Sequence, residues 1–119
     1  MDVEWYKCAG NVWCELNKLD LSHRYVKNIK GVYIIWYEMQ EIVVVRTGFG
    51  YIGDELEESR SGLEVQAFAK YKLKVSWTDI PKNSWQGVFN YLTEKLKPKL
   101  ASDEVDNTTP VEINLPWES

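Results

Sequence analysis

A chain of 119 residues with 45% hydrophobic and 27% charged residues has material for one core, so the reading is a single domain over 1–119; a disordered chain and a multidomain enzyme are both excluded. Eighteen acidic against fourteen basic residues leave a formal net charge of −4, which works against the phosphate attraction that gives non-specific nucleic-acid binders their affinity. The longest apolar runs, 32–37 and 42–45, fall far short of the about 20 residues that a bilayer-crossing helix requires, so no membrane partner is expected.

The first six residues alternate in polarity and carry Asp2 and Glu4, unlike a basic start followed by an apolar stretch, and a cytoplasmic protein is expected. In that setting Cys8 and Cys14 read as reduced, small core residues. Apolar residues on either side of Ala9-Gly10-Asn11 predict an N-terminal β-hairpin with a Gly-Asn turn. Leu21, Tyr25 and Ile29 recur at helical spacing, so 19–30 reads as a helix, with Ser22-His23-Arg24 as a competing turn. The β-branched and aromatic runs 31–37 and 42–45, separated by Glu38-Met39-Gln40-Glu41, predict an antiparallel hairpin in the core sheet.

Gly48-Phe49-Gly50 reads as a sharp turn out of the second strand, leading into an acidic helix over 54–59. A further helix is predicted over 63–70. A strand follows over 71–77, with Tyr71, Leu73, Val75 and Trp77 on one face and Lys70, Lys72 and Lys74 along the other. Asn83 or Ser84 caps the next helix, Gln86 completes a capping box, and Pro98 stops it, with Trp85, Val88, Phe89, Leu92 and Leu96 as its apolar stripe. The apolar residues of 111–117 predict a docked tail. The sum is a small α+β domain: a short antiparallel sheet flanked by helices, with an N-terminal β-hairpin.

The order of these residues resembles the short single-domain members of the GIY-YIG nuclease superfamily. Trp5-Tyr6-Lys7-Cys8 with Val12-Trp13-Cys14 resembles their opening, and Gly31-Val32-Tyr33 the first motif. Gly87-Val88, Tyr91-Leu92 and Lys97-Pro98 resemble the last helix, and Ile113-Asn114-Leu115-Pro116-Trp117 the closing segment. Tyr51-Ile52-Gly53 spells the second motif literally, yet it lies farther from Tyr33 than the family's hairpin calls for. Arg46-Thr47-Gly48 fits that spacing, with Gly48-Phe49-Gly50 as the family's glycine turn.

Such nucleases use two tyrosines, an arginine, often a histidine, and a glutamate that holds one divalent metal. In the Arg46 register the resemblance keeps the first tyrosine at Tyr33, whereas Arg46 stands for the second tyrosine, Glu55 for the arginine, Ser59 for the histidine and Phe89 for the metal-binding glutamate. A phenyl ring cannot hold a hard cation, and Glu55 places negative charge where a phosphate needs a cation. The expectation is therefore a catalytically degenerate domain with no cofactor and no metal, acting by binding; Arg46 and Glu55 are a candidate pair across the former cleft. The partner this implies is a protein. Nucleic acid is weakened by the net acidity, with Lys70, Lys72 and Lys74 as the candidate phosphate contacts set against a plain solubilising role on an exposed strand.

The competing reading is an active or weakened endonuclease on DNA or RNA. It would use magnesium or manganese with Tyr33, Arg60 and a relocated carboxylate such as Glu58 or Glu94. Tryptophans are expected mainly in the core, but an exposed Trp36 or Trp117 beside Tyr33 would offer a stacking platform for bases. Cys8, Cys14 and His23 do not have the spacing of a common zinc site, and the acids of 54–58 read as a solvated helix start.

Overall fold

The computed structural model describes residues 1–100 and 104–118. Its centre is a four-stranded antiparallel sheet in the order β1-β4-β2-β3, where β1 is Cys14–Glu15, β2 is Lys30–Glu38, β3 is Ile42–Tyr51 and β4 is Lys74–Asp79. Helices α1 (Arg24–Lys27), α2 (Ile52–Ser61) and α3 (Leu63–Gln66) lie on one face, and α4 (Trp85–Leu96) with the 111–117 tail covers the other. The α+β expectation holds.

Strand β2 is buried from Gly31 to Tyr37 because both of its faces are covered. Its alternation divides the interior: Tyr33, Ile35 and Tyr37 join the α2 side, while Val32, Ile34 and Trp36 join the α4 side. A sheet so enclosed reads as a continuous apolar run instead of an alternating one. Trp36 is fully buried, with the edges of Trp13 and Trp117 against it at 5.5 and 5.3 Å between ring centres. It lies across the sheet from Tyr33, and no stacking platform forms beside that tyrosine.

Several expectations change. The 19–30 segment forms only the single turn α1, because short polar side chains capture local N–H groups. Asp20 accepts from the Ser22 N–H at 3.0 Å, and the His23 ring accepts from the Tyr25 N–H at 3.2 Å. Strand β3 continues through Gly48-Phe49-Gly50 to Tyr51 with no sharp turn there, and only Gly50 of the three has positive φ, at +135°. The predicted helix over 63–70 breaks into α3 and a 3-10 turn over Ala69–Tyr71, so β4 starts at Lys74. Before α4, the Asn83–Gln86 capping box does not form; Gln86 instead donates to Asn90 at 2.9 Å.

The cysteines, expected to be reduced core residues, are joined as a Cys8–Cys14 disulfide. Gly10 and Asn11 both adopt positive φ, +82° and +57°, and fold the ribbon back so that the Cys8 N–H donates to the Val12 carbonyl at 2.8 Å. That closure brings the two Cα atoms to 5.1 Å. The tail docks as expected. Val3 and Asn114 exchange hydrogen bonds of 2.7 and 2.9 Å, and the Trp5 indole donates to the Asn114 carbonyl at 2.9 Å. The first and last described segments are thereby held together.

Candidate functional site

Four of the five positions singled out by the resemblance converge at one end of the β2/β3 hairpin. Tyr33 pairs with Gly48 in the ladder, and its ring lies across that glycine: a Cβ built there would sit 2.5 Å from the phenol oxygen. The glycine serves a close approach and not a turn. The Tyr33 hydroxyl donates to Glu55 Oε1 across a long 3.4 Å, and Glu55, in the first turn of α2, lies over Gly50. Ser59, one helical turn further along α2, is buried and accepts from Arg46 Nη1 at 3.5 Å.

Arg46 reaches this face through an irregularity in the strand. The register of β3 on β2 shifts between Ile35 and Trp36, with Arg46 opposite Ile35 and Val44 opposite Trp36, so Val45 is the extra residue. Without it, simple alternation would send Arg46 to the α4 side; the bulge turns it toward Tyr33. The Arg46 Nε is buried without a hydrogen-bond partner among the described residues. A buried guanidinium N–H left so costs stability, which marks this position as a place where packing alone did not choose the residue.

Burial pushes the Tyr33 phenol up to about 12; the negative charge of Glu55 adds to the rise, while hydrogen bonding from Ser59 and the charge of Arg46 oppose it. The phenol is therefore a proton holder at neutral pH. Because its folded value lies above the ordinary 10, the stability it contributes is complete below pH 10 and is lost as pH climbs from 10 toward 12. Over that window the unfolding free energy is expected to fall by on the order of 2 kcal/mol more in the native chain than in Tyr33→Phe. Denaturant melts at stepped pH, with phenolate absorbance followed in parallel, check this.

Phe89 does not join the cluster. It is buried on α4 with its edge against Phe49 at 5.3 Å, and Phe49 faces the opposite side of the sheet from Gly48 and Gly50. Tyr51 is exposed at the end of β3 beneath the Lys30 ammonium, 5.3 Å from its ring centre. Arg60 donates to the Leu16 and Leu19 carbonyls at 3.4 and 2.8 Å, so these two residues serve different surroundings. The three lysines do not share a strand face. Lys70 lies over the Tyr71 ring, Lys72 ends the 3-10 turn at φ +60°, and Lys74 pairs with Glu38 at 3.4 Å.

The sequence reading missed the Val45 bulge and the disulfide. For the disulfide the one available signal was Gly10-Asn11, a dipeptide suited to positive φ, placed between the two cysteines. Among the described residues, no three His, Cys, Asp or Glu side chains are grouped as a metal site, and no helix is long and apolar enough to cross a membrane. Fold and cluster together define a small antiparallel α+β domain carrying a phenol, a carboxylate and a guanidinium at one end of its central hairpin. No family model, curated protein or solved structure matches the chain.

Proposed function

We propose that this chain is a GIY-YIG-like domain that has given up nuclease chemistry and acts by binding a protein partner. The observation that carries this reading is the contact of the Tyr33 hydroxyl with the Glu55 carboxylate at 3.4 Å, which sets a negative charge beside a phenol whose ionisation burial pushes up to about 12. Phosphodiester cleavage needs a group that takes a proton from the attacking oxygen and a cation that meets the phosphate. Here the phenol is not a base at neutral pH. Glu55 puts a negative charge where the resemblance calls for the arginine, so the one guanidinium of the cluster, Arg46, shares it with a carboxylate and faces Ser59 at 3.5 Å. The Cys8–Cys14 disulfide stands against the cytoplasmic setting expected from the sequence, because the thiol pool there holds such pairs reduced.

The test is incubation of the pure protein with supercoiled plasmid and with single-stranded RNA in magnesium or manganese. Both substrates are expected to remain intact. Cleavage that disappears in Tyr33→Phe would overturn the reading and establish the metal-dependent endonuclease in its place. A low-salt gel shift abolished by replacing Lys70, Lys72 and Lys74 with alanine would move the partner from protein to nucleic acid.

A further inference from the structure

We propose that the face built around Tyr6 binds a peptide segment in which an apolar anchor residue is followed by basic residues. This rests on the reading of the domain as a binding module and names the chemistry of its partner. Two hollows meet at Tyr6. The first, about 480 Å³, is walled by Tyr6, Tyr25, Trp77, Leu19, Val26 and the Cys8–Cys14 disulfide. The second, about 560 Å³, is lined by Trp5 and Tyr6 together with Asp2, Glu4 and Asp79. Both volumes are of the size that takes one or two large side chains.

Hydrogen bonds tie the lining of the apolar hollow into the sheet. The Tyr6 N–H donates to the Trp77 carbonyl at 3.0 Å, and its own carbonyl accepts from Ser76 at 2.7 Å, which fixes the ribbon to β4. The Tyr6 and Trp77 rings stack at 5.6 Å, and the Trp77 indole donates to the Tyr25 carbonyl at 2.8 Å. Tyr25 itself is 49% exposed, with its ring at the open rim. A large aromatic left half in water beside a preformed apolar wall is the usual composition of a binding hot spot.

Charge chooses the occupant. Asp2, Glu4 and Asp79, set against the single Met1 ammonium, leave the second hollow net negative, and the chain as a whole carries −4. The Tyr6 ionisation is raised by burial and then by the nearby Asp79, Tyr25 and Glu4, so the two carboxylates lie within electrostatic reach of the point where the hollows join. The apolar hollow is also lined by Lys7, Lys18 and Asp20, and Lys18 is paired with Glu15 at 3.1 Å, so its charges nearly cancel. A basic segment is thus drawn to the carboxylate hollow and gains nothing of the kind on the other side of the anchor, which gives the peptide a direction. A nucleic-acid backbone crossing Tyr6 would meet the three carboxylates.

The test uses the oxidised full chain and fluorescein-labelled peptides read by anisotropy at low salt. One peptide has a tryptophan-leucine core followed by three lysines, a second has three glutamates in place of the lysines, and a third keeps the lysines but has a glycine-serine core. A single-stranded DNA oligonucleotide is the fourth probe. The first peptide is expected to bind best, and Tyr25→Ala, which keeps the backbone carbonyl used by Trp77, to weaken it about tenfold. Glu4→Lys with Asp79→Lys should transfer the preference to the glutamate peptide, and Leu63→Ser, 89% exposed outside both hollows, should change nothing.

Circular dichroism and the melting temperature verify that each variant is folded. The proposal is overturned if the first and third peptides bind equally, if the glutamate peptide or the oligonucleotide binds more tightly to the native chain, or if nothing binds up to about 1 mM. Unbound peptides with uncut plasmid would sink this surface alone. Cut plasmid would sink the non-catalytic reading and leave the peptide result standing.

Discussion

Gly31→Ala is expected to prevent the chain from folding. Gly31 sits near the start of the inner strand β2, paired with Gly50 of β3 on one side and Asp79 of β4 on the other. A Cβ at this position would lie 1.9 Å from the Thr78 carbonyl oxygen and 2.9 Å from the Ile80 nitrogen. Both are backbone atoms of a neighbouring segment, and the Ile80 N–H is itself bonded to the Lys30 carbonyl at 3.2 Å. No rotamer change relieves such a contact; β4 must separate from β2.

Overpacking a core usually costs about 1–3 kcal/mol, and a clash with immovable backbone lies beyond that range, against a total stability of about 5–15 kcal/mol. Gly48→Ala makes the informative comparison, because its added Cβ meets the Tyr33 ring at 2.5–2.6 Å, a side chain and not backbone. Shortening that ring as Tyr33→Leu should recover at least about 1 kcal/mol of the Gly48→Ala loss, whereas no side-chain replacement should recover Gly31→Ala. Urea denaturation of the four Gly48/Tyr33 combinations, with soluble yield for Gly31→Ala, checks both. A well-folded Gly31→Ala chain would show that β2 and β4 are not paired in this register.

These glycines show what a sequence displays and what it withholds. The hairpin was legible over 31–37 and 42–45, though not in the continuation of its second strand to Tyr51, because β-branched and aromatic residues on both sides of a polar break have few other ways to be buried. The last helix was legible from its stripe, and it ends where expected, with Lys97 in left-handed geometry before Pro98. What a glycine is for was not legible, since a turn and a close ring approach leave the same letter. At Gly48 the reason is Tyr33, fifteen positions earlier in the chain and opposite it in the sheet.

The candidate cluster was partly legible for a related reason. Tyr33 and Gly48 follow from hairpin pairing, and Glu55 and Ser59 from their spacing on one helix, but Arg46 joins them only through the Val45 bulge, which no local composition announces. Phe89 was misplaced by treating a position in an order of motifs as a position in space. Its helix crosses the other face of the sheet, where Thr47 meets Thr93 at 3.1 Å and Phe49 meets Phe89. The helix over 19–30 failed because periodicity counts apolar residues and ignores the hydrogen-bonding habits of Asp20, Ser22 and His23 between them.

Phe89→Glu is the second substitution with a large expected effect, and it separates a packing role from a latent metal position. Phe89 is 1% exposed on α4, one residue from Val88 and three from Leu92, both fully buried. A carboxylate there loses the Phe49 edge contact and must be buried charged or take up a proton, either of which costs several kcal/mol. Phe89→Leu, which keeps an apolar side chain, should cost no more than about 1–2 kcal/mol. The expected order in thermal melts is native, then Phe89→Leu, then Phe89→Glu well below both, with Phe89→Glu recovering part of its loss as pH falls and the new carboxyl becomes neutral. Adding magnesium or manganese should not raise its melting temperature, alone or combined with Glu55→Arg, because the new side chain faces away from Tyr33. A metal-dependent rise in the double variant, absent from Phe89→Leu, would place α4 on the phenol's side of the sheet and reopen the case for a dormant metal site.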